Sequence, residues 1–422
     1  QAVRRLQIGT FHSICYELLK KSGEERQLAD QMTTLELVKE AAEQLGMKEN
    51  PRTLLRMISE KKTKNPETEN ESESEYLDQI FTLYQKKLDG LQAMDFDDLL
   101  LKALSLAEDP SFKEQAFSYL FVDEFQDISP IQHRLIEAFS RHGREIFLIG
   151  DPDQAIYGFR GADGKSFERF KKERAFEEIR LKKNYRSSPE ILTAAQKILS
   201  PEKDSFPLEP VKGPGFPVRL AKASKEMGEA IFVAKEINRL IGGIDMVDIE
   251  ESGGTFDREE ARSFSDIAVL YRTHRQAELL EKCLRKEGIP YVVTGREDFL
   301  WEPLVRGSLG FFKSILNTED VLSRNVCQKL LWENEEDAQG RYEELAEKYK
   351  KLCKRTQPQK ILSQWREDMG CLDDSAMEKL GGISVFYKTM TEFLDNLAFG
   401  KESDIKRFGG KTYTSDAVSL MT

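Results

Sequence analysis

Short apolar runs that stop at a turn and lead into a segment of helical periodicity recur along this chain, and no other feature constrains its fold as strongly. Such runs are long enough for a buried strand and too short for a helix of their own. "LQIGT" (6–10) leads into "FHSICYELLKK", and "YLFVDE" (119–124) leads into "PIQHRLIEAFS". "EIFLIGD" (145–151) ends at a proline-containing turn. "VRLAKA" (218–223) precedes "KEMGEAIFVAKEINRLI", "DIAVLYRT" (266–273) precedes "RQAELLEKCLRKEG", and "PYVVTG" (290–295) closes the series. A strand joined to the next through a helix pairs with it in parallel, because only a long crossover returns the chain to the same end of the sheet. The expected class is α/β, with two parallel-sheet units in series.

Two stretches break the alternation. Residues 26–92 and roughly 319–412 keep helical periodicity and many charges without convincing strands, and read as helical insertions. The polar tract 63–75 and the acidic, glycine-containing tract 242–263 read as loops. No repeat of solenoid period is present. With 39% hydrophobic and 32% charged residues over 422 positions, there is material for several cores. No run of eighteen apolar residues exists, and the first residues lack the charged-then-apolar layout of a signal peptide. The five cysteines are scattered, with no CxxC pair and no histidine at ligand spacing, so a reducing cytoplasm and no structural zinc are expected. His133, His142 and His274 have no partners at catalytic spacing and read as surface or core residues.

A net charge of −11 excludes a surface coated in positive field. Locally, residues 160–186 hold ten Lys/Arg against five Asp/Glu, while 67–78 hold six acids and no base. The basic stretch is either a solvated helix face or a surface for phosphates.

"FVDEFQDISPIQ" (121–132) sets Asp123 and Glu124 at the carboxyl end of a strand, where loops converge and ligands gather in an open parallel sheet. There the first carboxylate can hold Mg²⁺ and the second can orient or deprotonate an attacking water. The other reading is plain helix capping, with Asp123 or Asp127 at the start of the helix near Pro130. "IGDPDQAIYGFRGAD" (149–163) repeats the pattern of a strand ending in Asp, followed by Gln154, Tyr157, Phe159 and Arg160. A glutamine can both donate to a phosphate and accept from a water, and an arginine offers a fixed fork to phosphate. Tyr157 and Phe159 are either core residues or stacking platforms for unpaired bases. In "LKKNYRSSPEIL" (181–192) a basic strand ends in Asn-Tyr-Arg, and Ser187 or Ser188 can cap a helix with Pro189 in its first turn. Arg186 at that strand end could reach a nucleotide, and Tyr185 could stack on an adenine.

Together "GTFHS" (9–13), "DFDDLL" (95–100), "VDEFQDISPIQ" (122–132), "IGDPDQAIYGFRGAD" (149–163), "LKKNYRSSPEIL" (181–192) and "FSDIAVLYRTHRQAELLEKCLRKEGIPYVVTG" (264–295) resemble superfamily 1 DNA helicases of the UvrD/Rep/PcrA branch, in that family's order. The likeness covers most of residues 6–316 and returns at "SDAVSLMT" (415–422). It implies ATP hydrolysis coupled to 3′→5′ movement on single-stranded DNA and duplex unwinding in replication or repair. It also implies two RecA-like domains closing on the nucleotide, single/double-strand junctions as substrates, and repair or replication proteins as candidate partners.

By the resemblance, Asp123 is the Mg²⁺ ligand, Glu124 the catalytic base, and Gln154 the link between γ-phosphate and DNA. Tyr185 packs on adenine, and Arg186 is an arginine finger. Thr10, Phe11 and His12, with Tyr157, Phe159 and Arg160, line the DNA path; Phe159 stands where relatives often carry Trp. The implied layout is a partial first motor domain at 1–25 and 93–178 with 26–92 inserted, and a partial second at 179–318 and 413–422 with 319–412 inserted. The family's phosphate-binding loop, G-x-x-x-x-G-K-[ST], has no match in the 422 residues, and the final motif stops at Thr422. The expectation is therefore a fragment that turns over little by itself. The alternatives are a helicase-like module that binds DNA or protein without hydrolysis, or a subunit of a helicase–nuclease.

Overall fold

The computed structural model describes residues 6–63, 75–110, 117–156, 166–173, 175–199, 208–242, 262–293, 298–333, 335, 337–385, 387–399 and 416–421. The two tracts expected to be loops lie outside them, apart from their edges.

Helix α1 (Phe11–Lys21) starts where Thr10 turns extended, and its hydroxyl accepts a hydrogen bond from the amide of Ser13. Lys20 and Lys21 sit at the negative end of the helix dipole. The face carrying Cys15, Leu18 and Leu19 is buried. After strand β1 (Gln27–Leu28) come α2 (Gln31–Gln44), capped by Asp30, then α3 (Pro51–Thr63) and α4 (Glu75–Gly90). Strand β2 (Ala93–Met94) pairs in parallel with β1, so the two ends of the helical insertion are pinned side by side. Leu37, Val38, Leu54, Ile58, Ile80, Tyr84 and Leu88 form its own buried core.

Helix α5 (Phe96–Glu108) opens on a capping box, Asp95 accepting from the Asp98 amide and Asp98 from the Asp95 amide. Two satisfied donors and an apolar stripe of Leu99, Leu100, Ala103 and Leu104 make this start firm. The insertion is locked to it through Lys62, whose ammonium lies 2.7 Å from both Asp95 and Asp98 with its side chain 2% exposed. Tyr84 donates a further hydrogen bond to Asp95 at 2.8 Å.

Strand β3 (Tyr119–Val122), helix α6 (Pro130–Ser140) and strand β4 (Glu145–Leu148) form one βαβ unit, with Leu120 opposite Ile146 and Val122 opposite Leu148. These inward side chains pack with Phe125, Ile128, Ile136 and Phe170, the last from α7 (Ser166–Glu173). The alternate residues, Tyr119, Phe121 and Phe147, face outward, and the rings of Phe121 and Phe147 stack at 4.7 Å. The expected strand at 6–10 does not form: the segment enters no ladder among the described residues, and Leu6 and Ile8 are exposed.

Strand β5 (Lys183–Asn184) pairs in parallel with β6 (Glu209–Pro210), and α8 (Pro189–Ile198) lies between them. The expected strand at 218–223 likewise enters no ladder among the described residues, with Leu220 fully exposed. Helix α9 (Glu226–Leu240), strand β7 (Ala268–Leu270), helix α10 (His274–Lys286) and strand β8 (Tyr291–Val293) follow. Helices α11 (Pro303–Leu316), α12 (Val321–Trp332), α13 (Ala338–Cys353), α14 (Pro358–Asp368), α15 (Ser375–Ser384) and α16 (Met390–Phe399) come next. Strand β9 (Val418–Met421) then inserts between β7 and β8, in parallel with both. Val418 and Leu420 reach the core made by Ala234, Ile237, Leu284 and Ile289.

All strand pairs among the described residues are parallel, and the class is mixed α/β as expected. The chain divides into two compact units, one of Gln1–Tyr185, Ala195–Val211 and Gly307–Lys350, the other of Arg186–Ala194, Lys212–Arg306 and Lys351–Thr422.

Candidate functional site

At the end of β3 the apolar run gives way to Asp123 and Glu124, both exposed, above a buried Phe125. Glu124 has φ 51° and ψ 44°, the left-handed region that side chains other than Gly, Asn and Asp seldom occupy. Its amide donates to the Asp123 carboxylate at 3.0 Å, which supports the turn locally. Strand pairing carries on past it, since the Phe125 amide donates to the Ile149 carbonyl at 3.0 Å. The kink therefore turns the Glu124 side chain out while the backbone stays attached to β4.

Gln126, 3% exposed, ties the two strand ends together. Its Nε2 donates to the Glu124 carboxylate at 2.7 Å, and its Oε1 accepts from the Asp151 amide at 3.0 Å. Gly150 makes room for this amide: a Cβ there would stand 2.3 Å from Gln126 Oε1 and 3.0 Å from the Phe125 nitrogen. The Asp151 carboxylate in turn accepts from the Asp153 amide at 3.1 Å and from Gln154 Nε2 at 2.8 Å. Asp123, Glu124 and Gln154 are thus brought to the carboxyl ends of two adjacent strands by one chain of hydrogen bonds.

Capping does not account for the acids. The helix start is Ser129, whose amide donates to Gln132 Oε1 at 2.8 Å, and Pro130 occupies the first turn. Asp123 and Asp127 lie upstream of that cap, Asp127 closing the short turn Phe125–Asp127. Among the described residues, no group of three or more His, Cys, Asp or Glu could enclose a metal. One exposed carboxylate is instead the donor set that suits Mg²⁺, which keeps several waters and takes further oxygens from phosphate.

Thr10 is spent on capping α1, and Phe11 is half-buried against the same cluster as Phe125 and Ile136. The ring of His12 packs edge-on to Phe96 at 5.2 Å. All three are within the βαβ unit's surroundings, with their side chains engaged by protein. Tyr185 follows β5 and is 67% exposed, a free aromatic face. Arg186, also exposed, opens the second compact unit. Ser188 begins α8, its carbonyl accepting from the Leu192 amide at 3.1 Å, with Pro189 in the first turn. Tyr157, Phe159 and Arg160 lie outside the described residues. His133 is buried against Phe125 and Phe170, and His142 is exposed. Burial pushes the thiols of Cys15 and Cys327 up to about 12, which leaves both inert as nucleophiles.

Gln126 and Gly150 are site residues that the sequence reading passed over, and Asp151 was marked only as the acid that ends a strand. Gln126 carries no local signal, since Glu124 and Asp127 flank it and the amide it holds lies 25 residues on.

Residues 1–175 match the family described as UvrD/REP helicase N-terminal domain, and residues 179–355 match the UvrD-like helicase C-terminal domain. The chain is 31% identical over 338 residues to the ATP-dependent DNA helicase PcrA of Bacillus subtilis, covering 75% of this chain and 44% of that protein. It is 30% identical over 334 residues to DNA helicase II of Haemophilus influenzae, covering 74% and 44%. Against the ATP-dependent DNA helicase PcrA of Leuconostoc citreum the figures are 28% over 340 residues, 75% and 43%. The chain thus spans less than half the length of these curated relatives.

Proposed function

The chain belongs to the UvrD/REP helicase family, and from that premise we propose that it is motor machinery of an ATP-dependent 3′→5′ DNA helicase. The observation that carries the reading is the gathering of Asp123, Glu124 and Gln154 at the ends of β3 and β4. Asp123 would hold Mg²⁺, which when bound neutralises charge on the phosphate oxygens. Glu124, pointed away from the sheet by its left-handed backbone, takes the proton of the attacking water. Gln154 faces the γ-phosphate and reports its presence to the DNA path. Tyr185 stacks on adenine, and Arg186 neutralises charge as the γ-phosphoryl group departs.

Thr10, Phe11 and His12, with Tyr157, Phe159 and Arg160, contact single-stranded DNA, the aromatic rings stacking on bases. Since Phe11 and His12 already pack against protein, their segment offers the strand its backbone as much as its side chains. The motor domains are residues 1–25 with 93–178 and 179–318 with 413–422; residues 26–92 and 319–412 are their helical insertions. Single/double-strand junctions are the substrate, and replication or repair proteins the partners, in the cytoplasm. No helix among the described residues is long and apolar enough to cross a membrane.

The deciding measurement is ATP turnover with and without single-stranded DNA, for the 422-residue chain and for the full-length gene product. DNA-stimulated turnover by the full-length product, with little by the chain alone, is the expected result. Absence of turnover from both would overturn the reading. It would favour a helicase-like module that binds DNA or protein without hydrolysis, a second reading motivated by the lack of a G-x-x-x-x-G-K-[ST] match in these residues.

A further inference from the structure

Gln126 touches both ends of the candidate site, the Glu124 carboxylate on one side and the Asp151 backbone on the other. It is buried at 3% exposure, so its own polar atoms are shielded and depend on these partners. Its two halves do different work. The NH₂ group grips a carboxylate oxygen of Glu124 at 2.7 Å, and the carbonyl oxygen holds the Asp151 amide at 3.0 Å. Asp151 in turn holds the side chain of Gln154 at 2.8 Å. Glycine at position 150 keeps the passage open, because any side chain there would collide with Gln126 Oε1.

We propose that Gln126 is a positioning residue: a strut that fixes the carboxylate of Glu124 relative to the Asp151–Gln154 turn, so that base and phosphate-facing amide hold one geometry. This rests on Glu124 being the base. Two substitutions separate the two halves of the strut. Gln126→Leu removes both contacts at nearly constant volume. Gln126→Glu keeps an acceptor for the Asp151 amide but sets a carboxylate oxygen against Glu124.

The first test needs no activity. Hydrogen exchange of the Asp151 amide is measured in the 422-residue chain. Gln126→Leu is expected to raise exchange there by about tenfold or more, whereas Gln126→Glu leaves it protected. Protection unchanged in Gln126→Leu overturns the proposal.

The second test uses steady-state ATP hydrolysis by the full-length gene product at saturating single-stranded DNA. Both variants are expected to lower kcat by about tenfold or more with KM for ATP within about threefold, as a misplaced base would. In a Glu124→Gln background neither should lower kcat further, since the group being positioned has gone. Losses that multiply in that background, or a Gln126→Glu enzyme with kcat near that of the wild type, overturn the proposal and leave the base assignment standing. A Glu124→Gln enzyme that keeps its turnover overturns the base assignment, and the positioning role with it. Thermal unfolding of each variant separates loss of fold from loss of rate, and Gly150→Ala should reproduce the Gln126→Leu exchange result by pushing on the same amide.

Discussion

Glu124 pairs a strained backbone with an exposed carboxylate, and the two can be separated by substitution. A residue other than glycine at φ 51° costs of order 1 kcal/mol or more, and asparagine accepts that conformation with less penalty than glutamate. Glu124→Asn is therefore expected to leave the thermal midpoint unchanged or a few degrees higher, while lowering ATP turnover by about a hundredfold or more. Calorimetry and a phosphate-release assay on the same preparation check both halves. A lowered midpoint would mean that the Gln126 contact outweighs the backbone strain. At this scale the sequence showed which acids were out of place but not how they were held. Asp123, Glu124 and Gln154 stood out because charge follows an apolar run. Gln126 did not, because a hydrogen bond spanning residues 126 and 151 has no local pattern.

The helical insertion is fastened to α5 by charge as well as by apolar packing. Lys62 is shielded between Asp95 and Asp98, so Lys62→Met would leave two carboxylates facing each other with no counter-charge. The expected cost is about 3–5 kcal/mol in urea denaturation, well beyond that of a surface pair. Asp97, beside this node, has its carboxyl pushed up to about 6, chiefly by burial and further by the neighbouring Asp95, against the opposing effect of the Ser59 hydrogen bond. The folded state then holds a proton more tightly than the unfolded chain, so the group carries no penalty below 3.8, the ordinary carboxylate value, and its cost to stability grows as pH rises from there until it is complete above about 6. Asp97→Asn should be more stable than the wild type by about 1–3 kcal/mol at high pH, with the gap closing as pH falls from about 6 towards 3.8. Denaturation series across that range check the sign; a gap that widens on acidification would refute it. From the sequence "DFDDLL" stood out only as one of the segments that carry the family resemblance, and the structure shows its acids opening a helix through a capping box. That a lysine from α3 neutralises two of those acids was not legible there, since 33 and 36 residues separate the partners.

Across the whole molecule, the three-stranded sheet is completed from far along the chain. Strand β9 lies between β7 and β8, joining residues 418–421 to 268–270 and 291–293. Leu420 is fully buried there, and Leu420→Ala is expected to cost about 2–5 kcal/mol, read by denaturation with a probe in that sheet. The period of the apolar residues was enough to establish an α/β class, parallel pairing and the helical character of the two long insertions, because those depend on neighbours within a turn or a strand. It also located the carboxylates, because their chemistry is declared by composition at a strand end. It failed at 6–10 and 218–223, which join no ladder among the described residues and leave Leu6, Ile8 and Leu220 exposed. Whether a run becomes a strand depends on a partner that local sequence does not name. For the same reason only the tertiary structure could decide the order β7, β9, β8, the buried Lys62 node, and the amide that binds Glu124 to Asp151. Each joins groups distant in sequence, and such pairings become determinate only when the chain has closed around them.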